Sequence, residues 1–160
     1  MTTGYLQHAR DWTITLEAIK RLSVRLNRPF TYAELAAEIE EHDGLRIDPR
    51  GYAGALDAVA GNLSSTEPLW TVMVVNADTG EPGGGFWRAD YPDTRYRLVA
   101  SLSPAAKAAW LEDQHRWCIA AARTHENPLD QGLRDAEVEA RERARDSLIE
   151  QMLQDRQRGI

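Results

Sequence analysis

The sequence predicts a mainly α fold with a small β component, in which an N-terminal domain is followed by long C-terminal helices. Apolar residues recur at helical spacing through most of the 160 residues. One short β-branched run over residues 69–76 precedes a glycine-rich loop, which is typical of a strand ending in a turn. After Asn127-Pro128 the composition shifts to charge and glutamine. We therefore expect one domain over residues 1–125 and a charged helical element over residues 126–160.

Composition narrows the class of protein. Hydrophobic residues make up 42% of the chain, enough for one core, and no apolar stretch approaches the roughly 20 residues that span a bilayer. The single cysteine, Cys118, rules out an intrachain disulfide and is compatible with a reducing cytoplasm, where we expect the protein. The formal net charge of −6 counts against nucleic acid, because a duplex binder usually presents a basic face.

The first helix is expected over about residues 5–27, with a core-facing apolar stripe. Arg21, Arg25 and Arg28 follow at i, i+4 and i+7 and form a basic ridge at its end. Two interpretations are open. The ridge is either a solvated helix end that complements the helix dipole, or a surface that contacts phosphates.

The second helix has an unusually complete start. Thr31 is the expected N-cap, Glu34 sits three residues later as in a capping box, and Phe30 can pack on Leu35. This pattern predicts a helix over about residues 32–41.

A third helix is expected to open with Asp48 as N-cap and Pro49 at its first position. Its second face is built of small residues, including Gly51, Gly54 and Gly61. Glycine inside a helix costs about 1 kcal/mol relative to alanine. The glycines therefore indicate either close packing within the chain or a surface that a ligand approaches.

The glycine loop follows the expected strand at residues 80–85, and Gly83, Gly84 and Gly85 are consecutive. The order helix, helix, strand, loop is typical of a winged-helix-like nucleic-acid-binding module, with the third helix as reader and the loop as wing. Trp87 and Arg88 come next. Such residues either stack on bases or cover the edge of a core.

Two further helices are expected from Ser103 onward. Ser103 and Pro104 start a helix that runs toward Arg123, and the tail from residue 130 forms a solvated helix. A long helix with a narrow apolar stripe often gains stability by association. We expect a second copy of the chain or a protein partner to contact the apolar residues of these helices. They are Trp110, Trp117, Leu133, Ala140, Leu148 and Met152.

No catalytic constellation emerges from the sequence. His115 and Cys118 lie one helical turn apart, but a zinc site needs about four ligands and no second cysteine completes the set. Cys118 lies between Trp117 and Ile119, as a core thiol does. The glycine loop lacks the Gly-Lys-Ser/Thr ending of a P-loop. We expect no catalytic residues, no metal and no cofactor.

Part of the chain resembles the DNA-binding domain of alkylguanine DNA alkyltransferases and alkyltransferase-like proteins, over roughly residues 29–87. The resemblance lies in Thr31-Tyr32-Ala33-Glu34-Leu35-Ala36, Arg50-Gly51, Ala58-Val59-Ala60-Gly61-Asn62-Leu63, Pro68, Val74-Val75 and the loop from Gly80 to Phe86. It implies a DNA-facing surface with Tyr32 near a phosphate or base and Arg50 at the head of the reader helix. The Pro-Cys-His-Arg motif of that family is replaced here by the run near Val74-Val75-Asn76, so the alkyl-accepting cysteine is absent.

Together these features predict a non-enzymatic protein that binds nucleic acid, with duplex DNA as the favoured ligand and a regulatory role. The expected contacts are Arg21, Arg25, Arg28, Tyr32, Arg50, Gly83, Gly84, Gly85, Trp87 and Arg88. The alternative is a protein–protein adaptor or inhibitor that acts on a DNA-processing or defence machine through an acidic surface and the C-terminal helix.

Overall fold

The computed structural model describes residues 4–48, 50–87 and 91–159. The α-helices in this part of the chain are α1 (His8–Leu26), α2 (Tyr32–Asp43), α3 (Tyr52–Ala60), α4 (Thr94–Ala100), α5 (Pro104–Glu126) and α6 (Gln131–Gln157). The strands are two residues long: β1 (Gly4–Tyr5), β2 (Phe30–Thr31), β3 (Leu45–Arg46) and β4 (Val74–Val75). The fold is mainly α with a small β component, as the sequence predicts.

The strands form two small parallel pairs that fix the ends of helices. β1 pairs with β3 through Gly4↔Leu45, and β2 pairs with β4 through Phe30↔Val74. An antiparallel bridge from Val75 to Pro82 then closes a short turn. The β2–β4 pair therefore holds the start of α2 beside the glycine loop.

The core surrounds α1. Ala18, Ile19 and Leu22 of α1 are almost completely buried, and α2, α3 and α5 pack against that helix. On the far side of α5, the long helix α6 lies along α5 and buries Ala144. Helix α6 is thus packed onto the rest of the chain over much of its length.

The start of α2 confirms the capping box. Thr31 Oγ1 accepts a hydrogen bond from the Glu34 N–H at 3.2 Å, and Glu34 Oε1 accepts one from the Thr31 N–H at 3.0 Å. The helix ends at Gly44, whose φ of 67° is the left-handed conformation that glycine adopts easily. It extends two residues beyond the predicted end.

The predicted start of α3 is wrong by three residues. The helix begins at Tyr52, and the carboxylate of Asp48 instead accepts a hydrogen bond from the Arg50 N–H at 2.9 Å in a turn before the helix. Pro49, the predicted first residue, lies outside the described residues. The local turn at Asp48 satisfies this carboxylate before the helix begins.

The predicted strand over residues 69–76 is mostly a different structure. Its residues from Leu69 to Val75 are buried as expected, but Trp70–Met73 form a 3₁₀ turn and only Val74–Val75 form a strand. Burial on all sides gives an apolar run no alternation that would distinguish the two conformations. The α4 helix was not predicted at all.

Candidate functional site

A cleft of about 140 Å³ lies between the start of α2, one face of α3 and the glycine loop. It brings together three of the predicted contact residues, Tyr32, Gly83 and Gly85. The remaining lining residues are Ala53, Leu56, Asp57, Thr71, Val74, Phe86 and Tyr91. Residues as far apart in the sequence as Tyr32 and Tyr91 therefore share one surface.

The walls of the cleft are aromatic with polar tips. Tyr32, Phe86 and Tyr91 line it, and the Tyr32 ring lies against that of Tyr52 outside the lining, with 5.5 Å between centroids and a tilt of 58°. The Tyr91 hydroxyl donates to the carboxylate of Asp57 and also lies 3.2 Å from the Gly85 carbonyl oxygen. These contacts tie the segment after the loop to α3, so the cleft has a defined shape.

Gly83 lets the glycine loop approach Tyr32 of α2 closely. A Cβ atom at this position would lie only 2.6 Å from the Tyr32 hydroxyl oxygen. Glycine lets the backbone pass beside the phenol without a clash. The glycine loop and Tyr32 therefore belong to one site.

Two glycines at the start of α3, Gly51 just before it and Gly54 within it, serve packing within the chain. A Cβ atom at Gly51 or at Gly54 would lie 2.8 Å from the imidazole ring of His8. His8, at the start of α1, thus covers the small-residue face of α3. Between the two predicted interpretations, close packing accounts for Gly51 and Gly54, and the open face of α3 is the one with Ala53, Leu56 and Asp57.

The basic ridge is neutralised by carboxylates of α2. Glu38, which is 6% exposed, forms ion pairs with Arg25 at 2.6 Å and with Arg21 at 3.1 Å. Arg28 lies 2.8 Å from Glu34. These pairs join α1 to α2. They also neutralise the positive charge that would otherwise attract a phosphate backbone.

The pKa values of these carboxylates follow from the pairing. Hydrogen bonds from Arg28 and from the Thr31 N–H lower the pKa of Glu34 to about 2. For Glu38, burial acts to raise the pKa, but hydrogen bonds from Arg25 and Arg21 outweigh it and the pKa lies below its usual range. Both groups are therefore ionised at neutral pH.

The other predicted contacts are dispersed. Arg50 is 95% exposed just before α3, with Asp48 at 3.8 Å. Trp87 packs edge-on against Phe86 at 4.9 Å and has Lys107 4.9 Å from its ring, so it faces the start of α5 rather than the cleft. Gly84 begins the 3₁₀ turn Gly84–Trp87, and Arg88 lies outside the described residues.

The residues predicted for a partner interface lie largely inside the chain. Trp110 and Trp117 are 2% and 3% exposed. Ala140, Leu148 and Met152 of α6 are partly buried against the core, and Leu133 is partly buried. The apolar stripe of α6 therefore packs on α5, and the large apolar residues that α6 leaves exposed are Val138, Ile149 and Leu153.

Cys118 lies in the core, and His115, one helical turn before it, is half-buried. The His115 Nε2 is 3.2 Å from the Val72 carbonyl oxygen, and burial lowers the pKa of this imidazole. Cys118 is completely buried, which raises the pKa of its thiol. Within residues 4–48, 50–87 and 91–159 no group of three or more His, Cys, Asp or Glu side chains is placed to hold a metal ion.

The predicted contacts do not include Leu56, Asp57 or Tyr91, although Asp57 belongs to the predicted small-residue face of α3 and Tyr91 to the aromatic residues after the glycine loop. The spacing of Ala53, Leu56 and Asp57 at i, i+3 and i+4 places them on one face of α3 and was an available signal. Nothing in the sequence signalled the contact of Tyr91 with Asp57, since 34 residues separate them.

Comparison with protein-family models, curated proteins and solved structures gave no match. Among the described helices, none combines the length and the apolar character needed to cross a membrane.

Proposed function

We propose that the chain is a non-enzymatic, cytoplasmic nucleic-acid-binding protein of winged-helix-like build, which places the cleft beside α3 against duplex DNA. The observation that carries the proposal is the convergence of Tyr32, Gly83 and Gly85 on one cleft next to the helix expected to read DNA. The resemblance to alkyltransferase-like proteins is part of the same proposal, because it concerns the same residues.

The chemistry of the cleft suits a nucleobase. Aromatic rings and apolar side chains offer stacking surface, and base–aromatic stacking contributes about 1–3 kcal/mol per base. The Tyr32 hydroxyl lines the same space and supplies a hydrogen-bonding group for a base edge. Cys118 is buried far from solvent with a raised pKa, which fits a protein that binds without covalent chemistry.

Ion pairing within the chain limits which cationic side chains can contact DNA phosphates. Arg21, Arg25 and Arg28 are committed to α2, so we assign phosphate contact to Arg50, whose side chain is 95% exposed. With few uncompensated cations near the cleft, we expect modest affinity with a shallow dependence on salt.

The test is fluorescence anisotropy of a labelled duplex of about 20 base pairs, one to two helical turns, titrated with the full chain at low and at physiological salt. Ala53→Trp fills the cleft from an exposed position of α3, and Ala108→Trp makes the same change on an exposed position of α5. We expect saturable binding that Ala53→Trp abolishes and Ala108→Trp leaves unchanged. Equal binding by both variants would contradict the cleft as the site.

A second pair of variants tests the phosphate contact. Arg50→Glu is compared with Arg97→Glu, an exposed arginine on α4. Loss of a phosphate contact weakens binding uniformly across sequences and reduces the salt slope by about 1. The same change in both variants would indicate a response to net charge alone.

The second candidate is a protein–protein adaptor or inhibitor. The neutralised ridge and the net charge of −6 favour it, because an acidic surface suits a basic protein partner. Absence of duplex binding even at low salt would make this the leading function.

A further inference from the structure

A second cavity, of about 280 Å³, lies between the loop at residues 65–66, α4, α5 and α6. We call it the arginine pocket, and its lining residues are Ser65, Thr66, Arg95, Trp117, Arg141 and Arg145. It shares no lining residue with the cleft beside α3. A role for it is therefore independent of the proposed nucleic-acid binding.

The arginine pocket carries uncompensated positive charge. Arg95 is paired with the buried carboxylate of Asp93 at 2.7 Å, and its guanidinium lies 5.8 Å from the centroid of the Trp117 ring. Among the residues that the structure describes, no carboxylate forms an ion pair with Arg141 or Arg145. Two guanidinium groups thus face the pocket without a counter-charge.

Two buried donors at the pocket have no acceptor. The Arg141 Nε and the Gln114 Nε2 are buried and make no hydrogen bond within the described part of the chain. Gln114, which is 3% exposed, lines a small adjoining cavity that shares Arg95, Trp117 and Arg145 with the arginine pocket. A buried donor without a partner is unfavourable, and a ligand oxygen would remove that penalty.

We propose that the arginine pocket binds the phosphate group of a small phosphorylated molecule. Guanidinium groups form paired, charge-assisted hydrogen bonds with phosphate oxygens, and the hydroxyls of Ser65 and Thr66 add neutral donors. A phosphate offers more acceptor oxygens than a carboxylate, so it matches the donors of Arg141, Arg145 and Gln114 better.

Isothermal titration calorimetry of the full chain tests the proposal with three probes: inorganic phosphate, adenosine monophosphate and adenosine. We expect the two phosphates to bind with dissociation constants of about 1 mM or below, and adenosine not to bind. Tighter binding of the nucleotide identifies a phosphorylated molecule as the ligand, and equal binding identifies phosphate itself. Binding of adenosine, or no binding of either phosphate, would overturn the proposal.

Variants locate the binding. Arg145→Ala removes an exposed side chain, so folding is expected to persist, and affinity for phosphate should fall about 10- to 100-fold. Arg143→Ala is the matched control, because Arg143 on the same helix lies 3.5 Å from Asp113 instead. Equal loss of affinity in the two variants would show non-specific attraction and refute the site.

Gln114→Leu gives an independent readout. Replacing a buried amide whose nitrogen makes no hydrogen bond should raise the melting temperature of the unliganded chain and reduce the rise that phosphate causes. A rise on adding phosphate as large as that of the unaltered chain would contradict the contact between phosphate and Gln114.

Discussion

Glu38 determines the structural role of the arginines around it. The sequence shows Arg21, Arg25 and Arg28 as a ridge on one helix face, and it does not show which face of α2 is opposite them. Once Glu38 is buried between the two helices, its charge requires partners, and the arginines supply them. The ridge is therefore part of the packing between α1 and α2.

Glu38→Gln tests that role. The change keeps the size of the side chain and removes its charge, and we expect a loss of about 1–2 kcal/mol in the free energy of unfolding, since Arg25 is half exposed and partly screened. Urea denaturation measures it. Glu41→Gln, at an exposed position of the same helix, should change stability by no more than about 0.5 kcal/mol. Similar values for the two variants would contradict a structural role for the pairing.

Glu34 makes stability depend on pH. Its pKa is about 2 in the folded chain and about 4.3 when unfolded, so its contribution is present above pH 4.3 and is lost as the pH falls toward 2. We expect Glu34→Gln to melt at a lower temperature than the unaltered chain at pH 6 and the difference to shrink toward pH 2. Thermal melts across this range test the sign, and a difference independent of pH would refute it.

At the scale of elements, features formed by residues close in sequence could be predicted, and features that depend on tertiary contacts could not. The capping box of α2 was predicted because its residues lie within four positions of one another. The predicted strand over residues 69–76 forms only at Val74–Val75, because the surroundings of Trp70–Met73, not their β-branched pattern, determine the backbone there. The cleft was half predicted: Tyr32 and the glycine loop carried signals, whereas Asp57 and Tyr91 meet only through the fold.

The capping box offers a second stability test. Thr31→Ala removes the acceptor for the Glu34 N–H, and we expect a loss of about 1 kcal/mol. Thr13→Ala, at an exposed position inside α1, should have little effect. Chemical denaturation of the two variants distinguishes a cap from a general threonine effect. Equal stability would mean that the box is not formed in solution.

The end of α6 is attached to the start of α5 by one side chain. Asp155 accepts hydrogen bonds from the Ser103 N–H at 2.8 Å and from its hydroxyl at 2.7 Å. These bonds lower the pKa of Asp155. We expect Asp155→Asn to speed hydrogen exchange over the last turns of α6, and Asp146→Asn, at an exposed position of α6, to leave it unchanged. Equal exchange in both would contradict the attachment.

At the scale of the whole molecule, the question is what α6 does. The sequence predicts a separate helical element over residues 126–160 that associates with a partner. Packing of α6 on α5 uses the apolar stripe on which that prediction was based. A homodimer through α6 is still a prediction, and its apolar contacts would come from Val138, Ile149 and Leu153, which are 42%, 59% and 50% exposed.

Light scattering coupled to size-exclusion chromatography tests the dimer. We expect the mass of two chains for the unaltered protein and of one chain for the double variant Ile149→Glu with Leu153→Glu, because charge on both positions opposes an apolar contact. A single-chain mass for the unaltered protein would exclude the dimer.

The central claim is that the cleft beside α3 contacts nucleic acid, and nuclear magnetic resonance tests it most directly. Amide signals of the full chain are followed while an unlabelled duplex is added at low salt. We predict that the signals of Gly83 and Gly85 shift and that those of Gly132 on α6 do not. Shifts confined to α6, or no shift at all, would contradict the claim.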